Sequence, residues 1–508
     1  MDYPVWSSGL SGGVLMAWVA VTHVIVAHFA IGGGLVVVVT EALSVKRDDR
    51  ELRELARRSS LVLILVSTVF GAISGVGIWV VAGLISPGAI SALIHTYVWG
   101  WAIEWVFFIL EIVAALVYYT TWDRISKGVH LMVGWLYFIA AYLSLVVING
   151  IITFMLTPGD WLATGGFWDG FFNPTYWPSL LLRSGIAVLM AVAFMVLVAV
   201  RASAERRPGI MRYLGWWWLA GALVSYGGYR WWEASLPATV TALFRGASPL
   251  LPTLDATRAF ALWSLTVGLV LGLLILVLVP RLARAMTVVV LMASAFAFFA
   301  GYERLREAVR KPFLIHSHMF SNGLLVGEIE TINGTGMAAH SGWVKTGDPD
   351  PVALGERLFR AECASCHSLD GYQSIRPLLP TLADVQRVVG DDPPGSGERC
   401  FRIECASCHR EVEFSDMVAA LPSTEEIRAD VEMVHDLNLS MITTTVLELR
   451  RMGADIAAFK PGSTFDMREL RFPVMPPFVG TDDEAEALAL YLASLDHPTP
   501  VAAASGGE

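Results

Sequence analysis

Residues 12–43 read GGVLMAWVAVTHVIVAHFAIGGGLVVVVTEAL, an apolar run whose only charged residue is Glu41. A helix that crosses a bilayer needs about 20 mostly apolar residues, and this run is longer than that. It contains His23, no basic stretch precedes it, and no small-residue cleavage site follows. It therefore reads as a retained helix and not as a cleaved leader. Seven more stretches of the same kind follow, at about 60–85, 95–121, 129–157, 178–202, 210–230, 259–280 and 284–304. The expected fold is all-α, a polytopic membrane bundle of about eight spanning helices.

Composition agrees. The 508 residues are 55% hydrophobic and only 16% charged, with a mean hydropathy of +0.56. A soluble domain averages about 25% charged residues. The net charge of −10 is unevenly placed: residues 1–339 carry 22 Lys and Arg against 18 Asp and Glu, whereas residues 340–508 carry 14 against 28. A hydrophobic, slightly basic body is followed by an acidic tail, which implies a membrane domain joined to a soluble one. The acidic tail excludes nucleic acid as a partner, since that needs basic surface.

Loop charge sets the expected orientation. The segment after the first stretch holds Lys46, Arg47, Arg50, Arg53, Arg57 and Arg58. Arg124 and Lys127 follow the third stretch, Arg201, Arg206, Arg207 and Arg212 the fifth, and Arg281 and Arg284 the seventh. The alternate loops near 86–94 and 158–177 contain no Lys or Arg. The positive-inside rule makes the basic loops cytoplasmic. With an even number of spans, both termini and the tail lie on the periplasmic face of the inner membrane.

All five cysteines lie in the tail. Four of them form Cys363-Ala-Ser-Cys366-His367 and Cys405-Ala-Ser-Cys408-His409, each preceded by a glutamate; Cys400 is left over. Cys-x-x-Cys-His is the attachment pattern of c-type heme. The two thiols bond the ring covalently, and His367 or His409 offers iron an axial nitrogen. A zinc or thiol-redox pair would explain neither histidine. Heme c is attached on the outer side of the membrane, the side that the loop charges assign to the tail.

Ionisable residues inside membrane helices are costly and mark function by default. The first stretch carries His23 and His28. The third carries Glu104 and Glu111, seven residues apart and so on one helix face; such a pair suits a proton relay. Ser144 and Asn149 lie in the fourth. The last stretch ends in Glu303-Arg304-Leu305-Arg306-Glu307-Ala308-Val309-Arg310-Lys311-Pro312-Phe313. By charge alone, this is an ordinary solvated helix end stopped by proline.

These residues together resemble subunit I of the cytochrome bd oxidases. The run from Ala20 through His23 to Gly32 is similar to the family's first heme-ligand segment, and Glu104 through Glu111 to Trp122-Asp123-Arg124 to its third helix. His130, Ser144 and Asn149-Gly150 follow at matching distances. Glu307-x-x-Arg310-Lys311-Pro312-Phe313 resembles the family's Glu-x-Gly-Arg-Gln-Pro-Trp. The resemblance implies that His23 and Glu307 are axial ligands of a high-spin heme pair, heme b with either heme d or a second heme b. It also implies that Glu104, Glu111, Ser144 and Arg310 serve the catalytic chemistry, and that a second, related membrane subunit is a partner. This sequence departs from the family at the low-spin heme: Arg183 stands where the family has a histidine ligand, the seventh stretch has no methionine, and the long quinol loop is missing. The sequence looks like the bd-like branch with fused cytochrome c, in which c hemes supply the electrons instead.

In the tail, a Pro-, Gly- and Asp-rich linker precedes an amphipathic segment, Val352 to Arg360, that runs into the first heme motif. Phe472-Pro473-Val474-Met475-Pro476-Pro477-Phe478 and a final helix at about 481–495 come last. This order resembles class I cytochrome c and makes Met475 the sulfur ligand opposite His367; a buried core methionine is the alternative. The second heme's distal ligand stays open among Met433, His435, Met441 and Met452, and Met475 itself is not excluded. The expected domains are 1–315 (membrane heme domain), 316–350 (periplasmic linker) and 351–508 (α-helical diheme cytochrome c domain). The implied function is a respiratory oxidoreductase. Electrons pass from a soluble or membrane-bound cytochrome through two covalent hemes c to the heme pair, which reduces oxygen with cytoplasmic protons. The competing reading is a non-catalytic electron-transfer or scaffold subunit of a larger complex; an open iron position separates the two.

Overall fold

The computed structural model describes residues 5–6, 10, 12–243, 251–342, 344, 350–370, 374–376, 379, 439, 442–453 and 475–495. Eight long helices follow one another: α1 (Gly12–Arg47), α2 (Arg50–Ile85), α3 (Val98–Thr120), α4 (Lys127–Phe154), α5 (Tyr176–Ala199), α6 (Arg207–Ala234), α7 (Leu251–Leu271, continued by Gly272–Leu278) and α8 (Ala285–Arg310). All but α6 combine the length and hydropathy of a membrane span. At 28 residues α6 is also long enough, but its tryptophans, tyrosines, glycines and charged ends lower its hydropathy.

The arginines expected in the loop after the first helix are placed differently. Asp48 and Asp49 alone separate α1 from α2, and Arg50, Arg53, Arg57 and Arg58 already belong to the first turns of α2. Asp49 caps that start by accepting from the backbone N–H groups of Glu51 and Leu52 (3.0 and 3.1 Å), which satisfies two donors that a helix start leaves open.

Helix α5 is the centre of the bundle: 67% of its apolar window is buried, against 17% in α2 and in α3. It packs against α1, α6 and α8. The crossing with α1 is so close that a Cβ at Gly32 would collide with the carbonyl oxygen of Ala187. Small residues at such crossings let membrane helices approach without a hydrophobic driving force. The outer faces carry apolar side chains, among them Trp99, Ile73, Val76 and Val106. A continuous apolar exterior of this kind suits lipid and not water.

Beyond α8 the chain forms a small antiparallel hairpin (Phe313–Ile315 with Met319–Phe320) and two short helices, Ile329–Thr335 and Met337–His340. The 316–350 stretch expected as a linker thus carries secondary structure. It is bonded to the tail, because Glu484 accepts from the backbone N–H groups of Met337 and Ala338 (2.8 Å each). The tail contributes α9 (Pro351–Glu362) and α10 (Asp482–Ser494), which pack on each other. Phe359, Ala364, Leu488 and Leu492 share their core with Phe478.

Candidate functional site

At the end of the bundle where α1 begins, here called the upper end, the first Cys-x-x-Cys-His loop sits on the membrane helices. The carbonyl oxygen of Ser365 lies 2.6 Å from where a side chain on Gly12 would start, and Ile85 at the end of α2 flanks the same spot. Asn322 in the hairpin segment donates to the carbonyl of Glu362 (3.3 Å). The loop after Met475 reaches this motif too: the N–H of Val479 donates to Glu362 Oε2 (2.8 Å). Cys363 and Cys366 are both free and part-buried. Burial, and then the neighbouring Glu362, push the Cys363 thiol well above its ordinary range. A redox-active Cys-x-x-Cys pair needs the opposite, a depressed thiol. Met475 is part-buried and packs against the main core. Cys405, Cys408, His409 and Cys400 lie outside the described residues, as do Met433, His435 and Met441; Met452 is described and buried.

His23 lies on the face of α1 that meets α2. Its Nδ1 is 3.1 Å from Ser74 Oγ. The Ser74 hydroxyl hydrogen points to the carbonyl of Phe70 (2.5 Å), so Nδ1 is the donor of the pair and Nε2 keeps the lone pair. A histidine fixed this way through one nitrogen is arranged to bind a metal through the other.

The end of α8 corrects the expectation of a solvated terminus. Glu303, Arg306 and Arg310 are buried. Glu303 Oε1 accepts from Arg183 of α5 (2.8 Å), and its Oε2 from Arg306 Nε (2.9 Å). Arg306 and Arg310 each hold one oxygen of Glu307 (2.9 and 2.5 Å). Arg183, 2% exposed at its side chain, also lies over the Tyr302 ring and bonds Ser179 (3.3 Å). The pairing that removes this end from water comes from a helix 120 residues earlier, out of reach of a local charge pattern. The described hydrogen bonds do not join His23 to Glu307.

On α3, Glu104 accepts from Ser144 Oγ of α4 (2.8 Å). Tyr137, whose hydroxyl donates to the carbonyl of Ala30 (3.0 Å), neighbours Glu111. A further seven residues along lies Tyr118, which sequence reasoning passed over. Its hydroxyl donates to Glu41 Oε2 (2.6 Å), and Glu41 Oε1 meets His130 Nδ1 (2.7 Å). His130 Nε2 bonds the carbonyl of Tyr118 (2.9 Å), and a carbonyl only accepts, so that nitrogen carries a proton. All three side chains are buried. The signals for this cluster were Glu41, the one carboxylate in the first apolar run, and His130, which matches the family in position; nothing pointed to their pairing. Just outside it, Asp123 is paired with Arg53 and with Arg57 (3.2 Å). The Arg53 hydrogen bond and both guanidinium charges hold its carboxyl below the usual range.

The residues at the upper end fit a heme. His23 offers a lone pair, and Arg306 Nη1 and Arg310 Nε are buried N–H groups without a partner among the described residues, suited to the carboxylates that heme carries.

Comparison with known proteins supports the same fold. Residues 13–224 match the family described as cytochrome bd terminal oxidase subunit I. The solved structure of the bd oxidase from Geobacillus thermodenitrificans superposes with a TM-score of 0.52 at 14% identity, over 59% of this chain and 87% of that one. At this identity the likeness speaks for the fold alone. No curated protein matches the chain.

Proposed function

We propose that this chain is a bd-like terminal oxidase fed by cytochrome: it takes electrons from a donor on the outer face and reduces oxygen with protons from the cytoplasm. The observation that carries the reading is the seat of the Cys363–His367 loop on the head of α1. His23 lies eleven residues further along that helix, about 17 Å at 1.5 Å per residue. The loop that carries the attachment residues therefore rests on the helix that carries an imidazole for a membrane heme.

In this reading Cys363 with Cys366, and Cys405 with Cys408, would hold two hemes c, with His367, His409 and Met475 offering donors to the iron. His23 and Glu307 serve the bd-type pair, and Arg310 orients Glu307 by holding one of its oxygens. When bound, the hemes supply electron transfer and oxygen reduction; the protein supplies ligands, proton delivery and exclusion of water. Proton delivery follows α3, whose residues 104, 111 and 118 lie seven apart and therefore on one stripe, about 10 Å per step. Tyr118, Glu41 and His130 take up protons at the lower end, and Glu111, Glu104 and Ser144 carry them upward. The basic loops support assigning the lower end to the cytoplasm, and the family's match over 13–224 supports a membrane partner subunit of related fold.

An optical titration of the reduced protein with carbon monoxide, run beside oxygen uptake, tests the proposal. A carbon monoxide shift outside the c-heme bands, together with oxygen consumption, is expected. Six-coordinate hemes throughout, with no such shift, would make the chain an electron relay instead.

A further inference from the structure

His28 is only 2% exposed, and the reading so far leaves it without a role. Its Nδ1 lies 2.7 Å from the carbonyl oxygen of Val24, one turn earlier on α1. A carbonyl accepts and never donates, so Nδ1 carries the ring proton and Nε2 carries the lone pair. That Nε2 is buried and has no hydrogen-bond partner among the described residues. Leaving an acceptor buried and unmet is unfavourable, and native structures rarely do so unless something else occupies the site.

The two histidines of α1 have matching preparation but different directions. Five residues separate them, so they sit about 140° apart around the helix and about 7.5 Å apart along it. His23 meets α2 through Ser74. His28 faces α8 and α5: its ring is 5.3 Å from that of Phe299, and Arg183 and Glu303 are its charged neighbours. The Gly32–Ala187 contact fixes this side of α1 against α5 one turn deeper. Four residues further along α8 from Glu303 stands Glu307, both of whose oxygens are taken by arginines. Arg306 Nη1 and Arg310 Nε remain buried donors in search of an anion.

We propose that His28 Nε2 is an axial ligand to heme iron on the α5–α8 side of α1, so that this one helix provides an imidazole to each of two non-covalent hemes. The inference rests on the bd-type reading above and adds a ligand to it. His28 serves the heme that Glu307 also faces, and Arg306 and Arg310 meet that heme's propionates.

The test uses the full chain, with covalent heme stain as an internal measure of folded protein. Non-covalent heme is extracted and counted in wild type, His28→Ala, His23→Ala and His28→Met. His28→Ala is expected to lose one of the two extractable hemes counted per two covalent hemes, and added imidazole should restore it. His28→Met keeps volume and offers a thioether, so it should retain the heme with a shifted reduced α-band and a changed electron paramagnetic resonance signal. The His23→Ala loss should fall on a different spectral component. Full heme content with wild-type spectra in both His28 variants would overturn the ligand assignment while leaving the oxidase reading intact. Wild type without extractable heme would overturn that reading, and this inference with it.

Discussion

Replacing Arg183 with Met removes the cation that closes the upper end of the bundle. Arg183 and Glu303 are 2% and 10% exposed at their side chains and meet at 2.8 Å. Deleting one partner of a buried pair typically costs about 3–5 kcal/mol, because the other charge is left stranded. Glu303 would retain Arg306 at 2.9 Å, so the lower figure of about 3 kcal/mol applies. At about 2 °C per kcal/mol, a value suited to large domains, the midpoint of thermal unfolding should fall by about 6 °C. Thermal unfolding of the detergent-solubilised chain, followed by far-ultraviolet circular dichroism, reads the loss. The double variant Arg183→Met with Glu303→Gln strands no carboxylate and leaves Arg306 paired with Glu307. It should recover about 2 kcal/mol of the loss as a coupling energy. If Arg183→Met melts within about 1 °C of wild type, or the two changes simply add, the ion pair does not hold this end together.

The tail gives a pH-dependent prediction. Burial, with Glu484 adding, holds the Glu362 carboxyl well above the usual range. The folded chain keeps this proton where the unfolded chain has released it. Stability is therefore complete below the ordinary carboxylate value of about 4.3 and falls as pH rises toward the folded one. Glu362→Gln retains an oxygen for the Val479 N–H and cannot ionise, so it should match wild type near pH 4 and exceed it near pH 8; parallel melting curves across that range would contradict this. Heme stain on denaturing gels should persist, a hemochrome assay should count two c hemes per chain, and changing Cys405 and Cys408 together to Ala should leave one. Glu104→Gln should slow oxygen turnover at least about 100-fold, the scale of a lost proton-transfer group, whereas Ser144→Ala, which removes one hydrogen bond worth about 1 kcal/mol, should cost less than about tenfold. Equal losses in the two variants would place the proton route elsewhere.

Seven of the eight long helices were legible because a bilayer imposes a length and an apolar composition that a single sequence displays; α6 shows the length without the hydropathy. Arg50 to Arg58 were misread as loop for the same reason: hydropathy detects lipid, and these turns of α2 extend out of the apolar stretch while remaining helical. The end of α8 failed differently. Its local charges were plain, but burial came from Arg183, on another helix and 120 residues away. The Glu41–His130–Tyr118 cluster likewise joins positions 77 and 89 residues apart, a proximity that no spacing rule reports. His28 and His23 looked equivalent as letters. What distinguishes them is the direction each ring faces, which depends on how α1 meets α2, α5 and α8. In the tail, the Cys-x-x-Cys-His motif and its neighbourhood with the Met475 loop were readable in order, whereas the buried role of Glu362 between them was not.

The central claim, that electrons reach the membrane part through the tail, is tested most directly by exchanging donors. Oxygen uptake by the full chain is measured with a reduced basic cytochrome and with a reduced quinol, in wild type and in Cys363→Ala with Cys366→Ala, at low and high salt. The acidic tail should draw the basic donor, and that attraction should weaken as added salt shortens the Debye length from about 10 Å at 0.1 M. Fast cytochrome-driven uptake that falls with salt and is lost in the variant is the predicted result. Fast quinol-driven uptake that survives in the variant would contradict it.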